Sequence, residues 1–208
     1  LETPNPAAML DLIKRHRVTK LATAPTAYKA MLGLLGEADI SSLRTCVSAG
    51  EHLPASTWRA WHEATGLRIV DGIGATEMMH IFISAAGDDI RPGATGKPVP
   101  GYVATVLDDE GSPMETGTGR LAIKGPTGCR YFDDERQSAY VRDGWNVTGD
   151  TYRKDEEGYF WYVARSDDMI ISSGYNIAAP EVENALLLHP AVQECGVVGV
   201  PCPERGQK

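Results

Sequence analysis

Apolar and polar positions follow two different rhythms along this chain. Up to about residue 71, apolar positions recur at helical spacing and then in short runs, so helices and strands are predicted in turn. Asn5 and Pro6 suit the cap and first position of a helix with Met9, Leu10 and Ile13 on one face. Lys14, Arg15, His16 and Arg17 fall at its negative end. A strand at 20–23 runs into Pro25, which opens a second helix; a strand at 44–48, a helix from Pro54 to Gly66 and a strand at 67–71 follow. This βαβα punctuation predicts an α/β fold with a mostly parallel sheet.

Beyond Gly87, glycine- and proline-rich turns separate short runs at 103–107 and 119–124, and a pair at 151–154 and 159–164 joined by a turn at 155–158. That texture predicts an antiparallel β region. After Asp167 a strand at 169–172, a glycine turn, a helix at 180–188 and a strand at 192–200 open another α/β unit. The helix places Val182, Ala185 and Leu186 on one face and Glu181 and Glu183 in its first turn. The expected division is therefore 1–87, 88–166 and 167–208, the last being the start of a domain that ends before it can close a core. Leu1-Glu2-Thr3-Pro4 has neither an initiator Met nor the make-up of a secretion signal, so the chain is expected to begin in mid-protein.

Composition narrows the function classes. With 208 residues, 42% of them hydrophobic, the chain can bury a core and is not a disordered tail. Its longest apolar run, 195–200, is strand length and excludes a membrane-spanning helix. A net charge of −8 argues against a nucleic-acid surface. Cys46, Cys129, Cys195 and Cys202 lack the paired spacing of a zinc site and suit reduced thiols in a cytoplasmic protein.

Four segments carry candidate chemistry. Asp71-Gly72-Ile73-Gly74-Ala75-Thr76-Glu77 follows a predicted strand, where two glycines would let backbone amides approach a phosphate. Thr76 can donate to that phosphate and Glu77 can hold Mg²⁺; equally, Thr76 can cap a helix with Glu77 in its first turn. Ser48-Ala49-Gly50-Glu51 ends a neighbouring predicted strand. Thr148-Gly149-Asp150 offers a carboxylate suited to a ribose diol, or a turn residue at a strand end. Finally, Arg165-Ser166-Asp167-Asp168 leads into Ser172-Ser173-Gly174-Tyr175-Asn176-Ile177. By itself it reads as a solvated turn.

In this order the segments resemble the adenylate-forming superfamily of acyl-CoA synthetases, luciferases and peptide-synthetase adenylation domains. The family pattern Y-G-x-T-E stands here as Ile73-Gly74-Ala75-Thr76-Glu77, T-G-D as Thr148-Gly149-Asp150, and G-R-x-D-D as Ala164-Arg165-Ser166-Asp167-Asp168. The wording through Met78-Met79-His80-Ile81-Phe82, Gly96-Lys97-Pro98-Val99-Pro100-Gly101-Tyr102 and Gly125-Pro126-Thr127-Gly128-Cys129-Arg130-Tyr131 is similar to benzoate-CoA and 2-aminobenzoate-CoA ligases.

The resemblance implies part of a large N-terminal domain and the start of a small α+β C-terminal domain. It implies an aryl carboxylate attacking ATP to give an aryl-adenylate, which CoA then converts to a thioester. Thr76 would contact the α-phosphate, Glu77 would bind Mg²⁺, and Asp150 and Arg165 would bracket the ribose. Gly50, Glu51, Asp71, Gly72, Ile73 and Gly74 would lie along the nucleotide, with Ile73 giving aliphatic contact where the family usually has Tyr. Ala24, Tyr28, Ala49, Gly74, His80 and Ile81 would line the acyl pocket, although Tyr28 and His80 also read as core residues. Asp167 would be the domain hinge and Gly174 would line the CoA channel, or serve as a hairpin glycine. A phosphate loop and a late catalytic Lys belong to the family pattern outside this sequence, so the chain alone is expected to be inactive. An adenylation domain loading a carrier protein, a non-catalytic nucleotide-binding module and an inert fragment are the alternatives.

Overall fold

The protein is described by a computed structural model covering residues 5–128, 130–166, 168–189, 191–192 and 194–208. It divides into two compact units, Leu1–Tyr102 with a short segment beginning at Thr127, and Val103–Pro126 with residues 130–208. This partition differs from the expected one: residue 87 falls inside the first unit, and the β-rich and C-terminal stretches share the second.

The first unit opens with α1 (Pro6–His16), where the Asn5 carboxamide oxygen accepts the amides of Ala7 and Ala8 at 2.9 and 3.3 Å. This is the predicted cap, and it satisfies two of the helix's otherwise unpaired N–H groups. Then come β1 (Lys20–Thr23), α2 (Pro25–Leu32), β2 (Thr45–Ser48), α3 (Ala55–Thr65), β3 (Ile69–Gly74), β4 (Ile81–Ser84) and β5 (Ala94–Pro98). Gly66 ends α3 in the left-handed conformation at φ +71°, donating to the His62 carbonyl. Strands β1, β2 and β3 are parallel neighbours, and β4 and β5 continue the sheet antiparallel. Tyr28, Met31, Cys46, Trp61 and Ile69 form the buried centre beneath the helices.

The predicted strand at 67–71 is shifted. It begins at Ile69 and runs on to Gly74, because Gly72, Ile73 and Gly74 find ladder partners in β4 that local sequence does not announce. Gly96 marks how closely β4 and β5 approach: at φ +132° a Cβ there would stand 2.2 Å from the Ser84 carbonyl.

The second unit contains β6 (Val103–Leu107), β7 (Pro113–Met114), β8 (Gly117–Lys124), α4 (Arg136–Tyr140), β9 (Val141–Arg142), β10 (Trp145–Lys154) and β11 (Phe160–Arg165). Its antiparallel sheet runs β11-β10-β8-β6-β7, as the turn-rich texture predicts, with Val106, Leu121, Ile123 and Phe160 fully buried. Next follow β12 (Ile170–Ser172), β13 (Tyr175–Ile177), α5 (Ala179–Leu186), β14 (Pro201–Cys202) and β15 (Gly206–Gln207), the four strands forming a small sheet.

Two expectations fail in this last stretch. The strand at 192–200 is not formed among the described residues: 194–199 alternates in exposure like a strand but lacks a ladder neighbour. The Val197 amide donates to Glu183 at 2.8 Å and the Cys195 thiol to the Glu183 carbonyl at 3.5 Å, while Val200 exchanges both backbone hydrogen bonds with Lys208 beside β14 and β15. Likewise α5 buries none of its residues, and Val182 and Leu186 on the predicted core face are exposed.

Candidate active site

In the first unit the ends of two adjacent parallel strands bring candidate residues together. Ser48 of β2 lies opposite Asp71 of β3 in the ladder. Past Ser48, Ala49 is half-buried and Gly50 turns at φ +94°. The Glu51 carboxylate accepts the amide and hydroxyl of Thr26, each at 3.4 Å, tying the loop to the first turn of α2.

Asp71 is not at the strand end, as expected, but inside it. It is one of the residues lining a cavity of about 10 Å³, with Leu53, Trp58, Arg91 and Thr95. Oδ1 of Asp71 and Oγ of Ser48 are both buried without a well-formed hydrogen bond. Burial dominates and pushes Asp71 up to about 7.

The two glycines of this motif answer to neighbouring protein. A Cβ on Gly72 would stand 2.8 Å from Cγ2 of Ile81, and one on Gly74 2.7 Å from the His80 carbonyl oxygen. Close packing along β4 therefore demands glycine at both positions.

That chain enters a 3-10 turn, Thr76–Met78, capped by extended Ala75 with no side-chain hydrogen bond. The helix-cap reading of Thr76 therefore fails. Thr76 is exposed, Glu77 half-buried and Met78 fully buried, and Met79 closes the turn at φ +66°. Met78 acts as the anchor that presents Thr76 and Glu77.

Of the acyl-pocket candidates, Ala24 caps α2 and is half-buried, Ile81 lies over Gly72, and Gly74 and His80 are exposed. His80 is thus no core residue. Tyr28 is fully buried, edge-on to Trp61 at 4.8 Å, with its hydroxyl 3.0 Å from the Val47 carbonyl and 3.2 Å from that of Leu21. This is the environment of a core residue with a satisfied polar end; burial drives its phenol pKa upward.

In the second unit, Asp150 and Arg165 face each other across β10 and β11. Arg165 Nη1 donates to Asp150 Oδ1 at 3.3 Å, with the carboxylate largely covered and the guanidinium half exposed. Thr148-Gly149-Asp150 was expected at a strand end; it lies within β10, at an irregularity between Val147 and Thr151 where Gly149 adopts φ +73°. The bulge interrupts the alternation and redirects Asp150. Arg165, read from sequence as part of a solvated turn, is the last residue of β11.

With both halves in view, the comparisons with known proteins decide the family. The AMP-binding enzyme family matches residues 1–131, and the AMP-binding enzyme C-terminal domain matches residues 181–208. The chain belongs to the AMP-binding enzyme family.

Among relatives of this AMP-binding chain, the benzoate–CoA ligase of Thauera aromatica is 40% identical over 95% of the chain and 39% of the relative. The solved anthranilate CoA ligase AuaEII, in complex with anthranoyl-AMP, superimposes with a TM-score of 0.90 at 45% identity, over 98% of this chain and 40% of that one. ATP-bound MatB from Rhodopseudomonas palustris gives a TM-score of 0.89 at 32% identity, over 100% and 42%. The chain thus spans well under half the length of these relatives.

Within the AMP-binding frame, Gly174 sits in the two-residue hairpin between β12 and β13, where Ser173 and Gly174 take φ +51° and +81°. A tight hairpin of this kind explains the glycine. The hinge candidate Asp167 lies outside the described residues. No group of three or more His, Cys, Asp or Glu forms a metal cage among the described residues. Glu77, a single carboxylate, fits an ion such as Mg²⁺ that retains water and takes much of its coordination from phosphate. Thr127, whose hydroxyl donates to the Met78 carbonyl, and Tyr102, hydrogen-bonded to Thr127, carry no local signal of those contacts.

Proposed function

We propose that the whole protein carrying this chain is an AMP-forming aryl-acid:CoA ligase acting on 2-aminobenzoate or benzoate. The carrying observation is the Thr76–Met78 turn: an exposed threonine and a half-buried glutamate held beside buried Met78 just past the carboxyl end of β3. The 45% identity to an anthranilate CoA ligase supports the substrate class.

On this reading the acid's carboxylate oxygen attacks the α-phosphate of ATP, pyrophosphate leaves, and the CoA thiol then displaces AMP. The Thr76 hydroxyl donates to the α-phosphate as charge builds on its oxygens, and Glu77 would hold Mg²⁺. Bound there, the ion would supply Lewis-acid neutralisation of the phosphates. Asp150 accepts from the ribose hydroxyls while Arg165 donates, using the ion pair they already form. Ile73 gives the adenine an aliphatic surface, and Gly174 lines the CoA path. The 208-residue chain by itself forms no acyl-adenylate. The free thiols of Cys46, Cys195 and Cys202 suit a reducing cytoplasm.

The test is pyrophosphate release by the whole protein with ATP, Mg²⁺ and a panel of benzoate, 2-aminobenzoate, a fatty acid and amino acids, with and without CoA. Aryl acids should be preferred, with the CoA thioester as product. Turnover confined to fatty or amino acids would discard the substrate assignment, and transfer only to a carrier protein would discard the CoA step.

A further inference from the structure

The Thr76–Met78 turn is held by two residues that are distant in sequence. Thr127 Oγ1 donates to the Met78 carbonyl at 2.8 Å, across 49 positions of chain. Tyr102 Oη lies 2.6 Å from the same Thr127 oxygen. A carbonyl can only accept, so the one Thr127 proton goes to Met78 and Tyr102 must be the donor of the shorter bond. The Tyr102 ring in turn rests against fully buried Phe82, with centroids 6.4 Å apart.

The chain of bonds continues through the backbone. The peptide joining Met78 to Met79 has its C=O engaged by Thr127, while its N–H donates to the Thr76 carbonyl at 3.2 Å. Tyr102, Thr127, the 78–79 peptide and Thr76 therefore form one directional series, in which each bond polarises the next. Such support has a purpose here. A three-residue 3-10 turn closed by a non-glycine residue at φ +66° is conformationally unfavourable and needs surrounding contacts to persist.

The geometry points to Thr127 as a positioning residue for adenylation, oriented by Tyr102 and acting through the Met78 carbonyl to fix Thr76 and Glu77. This rests on the ligase reading above, which assigns the turn its chemistry. Thr127 itself touches no reacting atom. Its loss should lower the rate at the transition state more than it weakens ground-state binding of ATP.

The experiment uses the whole protein with Thr127→Val, Thr127→Ser and Tyr102→Phe. Two quantities are measured: amide hydrogen exchange over residues 76–80 without ligands, and kcat and KM for ATP in ATP–pyrophosphate exchange. Losing one hydrogen bond of this kind should speed amide exchange and lower kcat in Thr127→Val by up to about tenfold, with KM within about twofold. Thr127→Ser, which keeps the hydroxyl, should restore both; Tyr102→Phe should fall between. Unchanged amide exchange in Thr127→Val overturns the proposal whatever the activity, as does faster exchange with wild-type kcat. Wild-type protein that exchanges no pyrophosphate, but loosens over 76–80 in Thr127→Val and not in Thr127→Ser, would remove the ligase reading and leave the tether standing.

Discussion

Arg165 Nη2 lies 3.3 Å from the point a Cβ on Gly149 would occupy. The Ser166 amide also donates to the Gly149 carbonyl at 2.9 Å, so the bulge in β10 and the end of β11 are fitted to each other at this glycine. A side chain at 149 would meet both an unfavourable φ and the guanidinium.

Gly149→Ala should therefore lose about 1–2 kcal/mol in urea unfolding, from the left-handed backbone alone. Because the methyl also displaces Arg165, KM for ATP should rise several-fold in the whole protein. ATP binding that stays at the wild-type level would detach Arg165 from the ribose role.

Asp71 makes stability depend on pH. Its folded carboxyl titrates near 7, above the 3.8 of an ordinary aspartate, so between those values the folded protein keeps a proton that the unfolded chain has released. The stabilisation is full below the unfolded value and is lost as pH rises through about 7. From about pH 5 to about pH 8 wild type should lose roughly 2–3 kcal/mol relative to Asp71→Asn. Parallel urea midpoints for the two proteins would mean that Asp71 is charged in the fold.

His52 works in the opposite sense. Burial lowers its pKa from 6.5 to about 4, so the imidazole stays neutral in the fold while the unfolded chain takes up a proton. Its contribution is present above 6.5 and is lost as pH falls towards 4. His52→Gln should flatten the acid side of a plot of Tm against pH between about pH 7 and about pH 5. An unchanged acid limb would show that other groups govern it.

Glu77→Gln keeps the size of the side chain and removes its charge. Pyrophosphate exchange should fall by about 10²- to 10³-fold, with the Mg²⁺ requirement moved to higher concentration. A variant with the wild-type Mg²⁺ dependence would show that Glu77 does not hold the ion.

What the sequence made legible was mostly local. Asn5 before Pro6, Gly66 after α3 and the turn at 155–158 each act on backbone within a few residues, and each stands where the pattern puts it. Failures came where a distant partner decides. The alternation of 192–200 suits a strand, yet a strand needs a neighbour for its ladder, and no residue within that segment reports whether one exists. Thr148-Gly149-Asp150 reads locally as a turn before a strand at 151–154, whereas the pairing of β10 with β8 makes it a bulge inside a longer strand. The ordered motifs single out Thr76, Glu77, Asp150 and Arg165 as candidates, but Gly72 and Gly74 owe their smallness to Ile81 and His80. Thr127 was visible only as part of a familiar wording.

The chain leaves its first compact unit after Tyr102 and rejoins it at Thr127. Gene shuffling is constrained by that return. Any single crossover between 79 and 126 would inherit Met78 from one parent and Thr127 from the other, so a hybrid would keep an intact turn only where the second parent also supplies a hydroxyl 49 positions downstream. Recombination libraries built from such relatives should accordingly be enriched, among their active members, for serine or threonine at position 127, even when every residue at the turn comes from one parent.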